Sequence, residues 1–312
     1  MDGVAENDHS PVRLNLYYMS EILRKQLRGT GVALVTPFLK DGSVDYNAYK
    51  KLIHYIIDNG CQYLVVLGTT GEAPVLSKEE KIQLIEIAYQ ETKGNTPVVV
   101  GIGGNNTAAL IEDLKTFPLE GAAAVLSASP YYSKPSQEGI FQHYKSLASV
   151  SPKPIMLYNV PGRTGKGISA ETVIRIANEI PNVMGIKEAS GDMLHCMHIL
   201  RDKPEHFMVI SGDDALAMAQ IACGMEGVIS VAANAFPSAF SNMINASLSG
   251  DFISAKRIND QLLSAYDLMF CENNPAGIKA FLYNKKLIDN ILRLPLVPLS
   301  SAIYDQVKKI SM

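Results

Sequence analysis

The 312 residues contain no tryptophan and few cysteines: Cys61, Cys196, Cys223 and Cys271 lie far apart and never at CxxC spacing. That spread makes reduced thiols in a cytosolic compartment the better reading. An excess of one charge is also missing. Lys plus Arg number 28 against 31 Asp plus Glu, a formal net charge of -3. Such a balance gives no electrostatic footprint for nucleic acid and no polybasic patch for an anionic membrane surface. No apolar run approaches the roughly 18 residues that span a bilayer. The first residues lack the apolar h-region of a secretory signal, so a cytoplasmic protein is expected. Residues 1–18 are polar, then aromatic, and match no later element, and Met19 reads as a natural start. Residues 1–29 are therefore set aside as an extension and lead-in helix.

What is present is one theme repeated eight times. Short β-rich apolar runs occupy 31–36, 63–67, 97–102, 122–127, 154–158, 183–187, 207–211 and 227–231. Amphipathic helical stretches separate most of them. In 47–58, Tyr49, Leu52, Ile53, Ile56 and Ile57 share one face at helical spacing. In 77–91, Ser77 and Glu80 form a capping box ahead of Ile82, Ile85 and Ile87. Continuous apolar strands alternating with helices imply a parallel sheet covered on both faces. Eight such units predict an α/β fold, a (β/α)8 TIM barrel over 30–234. Residues 235–312 show helical patterns without further strand signal and read as additional C-terminal helices.

A barrel should carry its chemistry just past the strands, and the polar residues fall there. The second run is followed by Gly68, Thr69, Thr70, Gly71 and Glu72; the fourth by Pro130, Tyr131 and Tyr132; the fifth ends at Tyr158 before Asn159, Val160, Pro161, Gly162 and Arg163. The sixth ends at Lys187, inside VMGIKEASG. A lysine at the open end of a buried strand loses water, which favours the neutral amine able to attack a ketone and form a Schiff base. Each residue has a plainer role when taken singly: a snorkelling lysine, a rim tyrosine, a surface arginine, a helix-capping threonine, interface packing by Tyr131 and Tyr132. Five strand ends bearing chemical side chains at once argue against coincidence.

Three other motifs fail. GIGGNN at 101–106 lacks the last glycine of a dinucleotide fingerprint, and GRTGKG at 162–167 misplaces the first glycine of a P-loop and has no Ser/Thr after Lys166. His195, Cys196 and His198 lie one helical turn beyond a strand, where a helix surface with one buried cysteine is the simpler reading than a metal cluster.

GTTGE at 68–72, YNVPGRTG at 158–165, GIKEASG at 185–191, SGDD at 211–214 and NNPAGIK at 273–279 together resemble the dihydrodipicolinate synthase / N-acetylneuraminate lyase family over residues 30–298. The resemblance implies a barrel with C-terminal helices that forms a pyruvate Schiff base on Lys187. Within the family, Arg163 in YNVPGRTG points to the synthase branch, which condenses pyruvate with L-aspartate-4-semialdehyde, rather than to a sibling aldolase acting on a sugar acid. A non-catalytic binding protein on a decayed barrel should have lost Lys187 or Tyr158. Tyr158 is the expected proton carrier. By resemblance, Thr70 and Tyr132 complete a hydroxyl relay with it, Tyr132 arriving across a dimer interface. Thr69 and Thr70 with backbone N–H groups of their turn suit the pyruvate carboxylate, and Arg163 has the fork for the carboxylate of the aldehyde. Gly212 and Ile229 would offer backbone carbonyls. No metal or organic cofactor is required, and a homotetramer built of two tight dimers is implied. Lysine-inhibited members bind lysine near the helix after GTTGE with His and Glu side chains. Here Lys78, Lys81 and Ala109 occupy those surroundings while Asn105 and Tyr131 are kept, so weak lysine feedback is expected. Glu188, Asp213 and Asp214 have no assigned role, and Glu72 reads as structural.

Overall fold

The computed structural model describes residues 11–310. Eight strands, β1 (Gly29–Ala33), β2 (Tyr63–Val66), β3 (Val98–Gly101), β4 (Ala122–Ala128), β5 (Ile155–Asn159), β6 (Val183–Glu188), β7 (Met208–Ser211) and β8 (Gly227–Ser230), close into one barrel. Every neighbouring pair is parallel, and β8 closes on β1 with Gly29 beside Gly227. All eight expected strands are present. The chain enters the first at Gly29, two residues before the apolar run begins, because the closing register starts on that glycine.

Strand side chains alternate between two cores, as a pleated strand under helices requires. Val65, Val99, Met156, Met184, Met208 and Ile210 fill the barrel interior. Val32, Leu64, Val98, Leu157, Ile186 and Val209 face the helices instead. Those helices include α1 (Pro11–Leu27), α2 (Tyr46–Asp58), α3 (Lys78–Thr92), α4 (Thr107–Thr116), α5 (Gln137–Ala148), α6 (Pro161–Thr164), α7 (Ala170–Glu179), α8 (Met193–Asp202) and α9 (Ala217–Ala222). They continue with α10 (Pro237–Leu248), α11 (Phe252–Phe270), α12 (Ala276–Asn284) and α13 (Ser301–Val307). The expected capping box on α3 is formed in both directions between Ser77 and Glu80. On α2, Tyr49, Leu52, Ile53 and Ile56 are buried, and Ile57 only partly so.

Two expectations change. Helix α1 runs unbroken across Met19, so 11–18 belongs to a regular element; the reading of residues 1–10 lies outside the described residues. The last turns of α1 bury Leu23 and Leu27 in the interior cluster, and Arg24 pairs with Glu226 at the foot of β8. The helix thus plugs the barrel floor. Helix α10 packs on β1, β8 and α9, burying Phe240, Met243 and Ile244. It is the eighth outer helix of the barrel, so a division at 234 would cut the last βα unit.

Candidate active site at the barrel mouth

β5 and β6 end side by side. Their last two rungs pair Tyr158 with Lys187 and Asn159 with Glu188. Alternation sends Lys187 and Tyr158 inward above Met184, Met208 and Ile210. Lys187 is 5% exposed, and its Nζ stands 4.2 Å from the centre of the Tyr158 ring. Gly212, just past β7, makes room for this lysine. A Cβ there would lie 2.8 Å from Lys187 Cε and 2.6 Å from Ala189 Cβ, so any larger residue would displace the amine. Above the pair opens a cavity of about 740 Å³ that is lined by Thr69, Thr70, Arg163, Gly212, Asp214 and Asn274 among others.

The turn after β2 is held under strain at both ends. Leu67 and Glu72 adopt left-handed φ of 58° and 54°, a conformation that non-glycine residues keep only when surroundings enforce it. Gly101 on β3 lets the turn approach: a Cβ there would sit 2.4 Å from Leu67 O. That is the use of a glycine in the failed dinucleotide motif. Thr36 Oγ1 donates to Gly71 O at 2.7 Å. Thr70 is buried and its Oγ1 accepts from Asn274 Nδ2 at 3.1 Å, which leaves the hydroxyl proton free to donate elsewhere. Glu72 is fully buried against Lys279 of α12 and accepts from Arg293 N at 3.2 Å. Burial lowers the Lys279 ammonium to about 8, against the opposing pull of Glu72. Glu72 is therefore structural, fastening the turn to the C-terminal helices.

Arg163 rises from α6 at the rim, its Nη2 3.4 Å from Asn274 O. Among the described residues no carboxylate lies within ion-pair distance of it. A side cavity of about 240 Å³ shares Thr69, Tyr158 and Arg163 and extends to Tyr131. Lys187, Tyr158, Thr69, Thr70, Arg163 and Gly212 thus meet in one place. Tyr132 does not join them: it is 88% exposed, with φ of 69°, and lines neither cavity. Ile229 lies lower, buried in the barrel interior, and Val231 two residues on is the group from the end of β8 that reaches the cavity wall.

Asn274, Asp214 and Asp213 also line the mouth and carry no role in the sequence reading. Asn274 touches both Thr70 and Arg163, and its Oδ1 is buried without a hydrogen-bond partner. Asp214 accepts from Ala232 N at 2.8 Å and Val231 N at 3.1 Å, and burial pushes its carboxyl up to about 6. The neighbouring Asp213 caps the following turn through Ala215 N and Leu216 N. Within the dismissed metal motif, Cys196 is buried and His198 faces solvent.

A closed parallel barrel with a buried amine at its C-terminal mouth, ringed by hydroxyls and a guanidinium, defines a (β/α)8 enzyme built around a lysine. Residues 26–311 match the dihydrodipicolinate synthetase family, and the chain belongs to that family. It is 49% identical over 284 residues to the 4-hydroxy-tetrahydrodipicolinate synthase of Parabacteroides distasonis, covering 91% of this chain and 96% of that one. Among solved structures, the dihydrodipicolinate synthase of Thermotoga maritima superposes with a TM-score of 0.89 at 37% identity, covering 91% and 97% of the two chains. The chloride-inhibited dihydrodipicolinate synthase of Acinetobacter baumannii complexed with pyruvate gives 0.88 at 40% identity, with the same coverage.

Proposed function

We propose that this chain condenses pyruvate with L-aspartate-4-semialdehyde through an imine on Lys187, yielding 4-hydroxy-tetrahydrodipicolinate in diaminopimelate and lysine biosynthesis. The observation that carries the reading is the Lys187 amine set against Tyr158 on the wall of the large cavity. The activity of the Parabacteroides relative and the pyruvate in the Acinetobacter structure support the choice of substrates.

The chemistry balances with these side chains alone. The Lys187 nitrogen adds to C2 of pyruvate, and water leaves to give the protonated imine. That cation draws electrons from C3, which loses a proton to become the enamine. C3 then bonds to the aldehyde carbon of the second substrate, whose oxygen takes up a proton. The substrate's own amine finally replaces the lysine nitrogen at C2 and closes the ring. Every step is addition, elimination or proton transfer, so the scheme calls for no metal or organic cofactor.

Tyr158 is the proton carrier in this scheme, with Thr70 poised by Asn274 to pass a proton on. Tyr132 would complete the relay from a second copy of the chain. Its exposure, and its absence from the walls of this chain's own two cavities, favour a role in trans, and at least a dimer, with a homotetramer of two such dimers, is the proposed assembly. Thr69 and Thr70 would hold the pyruvate carboxylate, Arg163 the carboxylate of the aldehyde, and Gly212 and Ile229 would supply backbone carbonyls. Among the described residues no helix is long and apolar enough to cross a membrane, and a cytoplasmic location fits the proposed pathway.

Turnover tests the reading. Pyruvate with L-aspartate-4-semialdehyde should be consumed at least about a hundredfold more efficiently than N-acetylneuraminate is cleaved. Arg163→Ala should raise KM for the aldehyde far more than KM for pyruvate. Preferred cleavage of the sugar acid would contradict the proposed substrate.

A further inference from the structure

Directly behind the paired Tyr158 and Lys187 lies a second pair that the scheme leaves unused. Alternation turns Glu188 outward where Lys187 turns inward, and its side chain is fully buried between the strand ends and α8. A carboxylate in such a place is costly unless its oxygens are satisfied. Each oxygen here holds a different segment of the mouth. Oε1 accepts from Ser190 N at 2.7 Å, in the loop leaving Lys187. Oε2 accepts from Asn159 Nδ2 at 2.8 Å, the residue after Tyr158. His195 Nε2, from the first turn of α8, stands 3.3 Å from the same oxygen.

Asn159 extends the chain of contacts. Its Oδ1 accepts from Ile168 N at 3.0 Å, where the loop bearing Arg163 returns to the barrel. Its backbone oxygen accepts from Ala189 N at 2.9 Å. The polarity of this network is fixed. Because Asn159 Oδ1 is committed to a backbone N–H, its amide nitrogen must face Glu188, and only an acceptor satisfies it there.

We infer that Glu188 is a positioning residue: through Asn159 and Ser190 it sets the two strand ends that carry Tyr158 and Lys187, and the loop that carries Arg163, in one fixed relation. The inference rests on the proposed role of Lys187. It concerns geometry and not substrate contact, since neither Glu188 nor Asn159 lines the cavity.

The fixed polarity supplies the test. Glu188→Gln sets an amide nitrogen against Asn159 Nδ2, and Asn159→Asp sets two carboxylates face to face. Each single variant should lower kcat roughly ten- to a hundredfold, as a misplacement of about 1 Å does, while KM for pyruvate stays within about threefold. The double swap, Glu188→Gln with Asn159→Asp, restores the donor–acceptor match between positions 188 and 159, with His195 Nε2 left beside the new carboxylate, since it stands 3.5 Å from Asn159 Nδ2. The new amide at position 188 donates to the new carboxylate at position 159, which still accepts from Ile168 N. Its kcat should return to within about threefold of the wild type, a coupling that a double-mutant cycle reads directly. Full activity in the Glu188→Gln variant would overturn the inference. So would a double swap that stays inactive or unfolded, because the carboxylate would then serve the fold and not the mouth. A wild-type protein that fails to condense the two substrates would instead remove the proposed function, so the two failures are told apart.

Discussion

The two ends of this barrel are built from the same eight strands and obey different rules. At the floor, Leu23 and Leu27 of α1 seal an apolar interior, and the nearby charge, Arg24, is paired with Glu226 and donates to Glu205 O at 2.8 Å. At the mouth, Leu67, Glu72, Tyr132 and Lys134 all hold positive φ without being glycine. Buried there are Lys187, Thr70, Asp214 and Asn274, the last with an unsatisfied oxygen. Burial of apolar surface stabilises the floor; the mouth keeps strain and polar groups that the rest of the fold must offset. Stability and chemistry should therefore be separable by substitution.

The largest separation is expected at Lys187. Lys187→Ala should lower turnover by about 10³-fold or more while leaving Tm close to the wild type, measured by steady-state kinetics beside calorimetry. Lys187→Arg should fail equally, because a guanidinium remains protonated. Either variant keeping a tenth of the activity would break the contrast.

Next in size is the reverse experiment at the floor. Leu27 is completely buried, and Leu27→Ala should cost about 2–5 kcal/mol of stability. Its kcat, measured below the transition on folded protein, should stay within about twofold. An unchanged unfolding midpoint would show that α1 does not plug the barrel.

A smaller effect, visible in its pH dependence, sharpens the same contrast. Burial raises the Asp214 carboxyl from its ordinary range to about 6. Between roughly pH 4 and 6 the folded chain then holds a proton that the unfolded chain has released. The stabilisation is full below the ordinary carboxylate value and is lost as pH rises through 6. Asp214→Asn should flatten that part of the stability–pH curve, as followed by urea unfolding at pH 4, 5, 6 and 7. A curve identical to the wild type would place the titration elsewhere.

The smallest effect is the response to free lysine. Lys78 and Lys81 lie on α3 and Ala109 on α4, and the family resemblance implies that a lysine ligand would meet these positions. Cationic neighbours, with Ala109 in place of the carboxylate that would hold the amino group, disfavour an ammonium ligand. Less than half inhibition is expected at about 1 mM lysine, and half-maximal inhibition at sub-millimolar lysine would contradict the expectation.

The contrast also explains how much the sequence disclosed. All eight strands were legible because strands buried on both faces read as unbroken apolar runs. Lys187, Tyr158, Thr69, Thr70 and Arg163 were legible because each stands at the end of a strand or just past it. Three features were hidden. The floor plug was missed because the leading residues of α1 share no pattern with the βα units of the barrel. Asn274 stands in the NNPAGIK stretch at 273–279, yet its bond to Thr70 spans 204 residues, and no local pattern encodes such a contact. The place of α10 was hidden because its partner β1 lies at the other end of the chain. For Tyr132 the difficulty is different: its proposed site belongs to a second copy, so one chain leaves it at the surface.

The amine at Lys187 is the centre of this reading, and one measurement addresses it directly. The protein is incubated with pyruvate and borohydride, digested, and each peptide weighed. One reduced pyruvate unit per chain, confined to the peptide containing Lys187 and absent from Lys187→Ala, is the expected result. An adduct on any other lysine, or none at all, would contradict it.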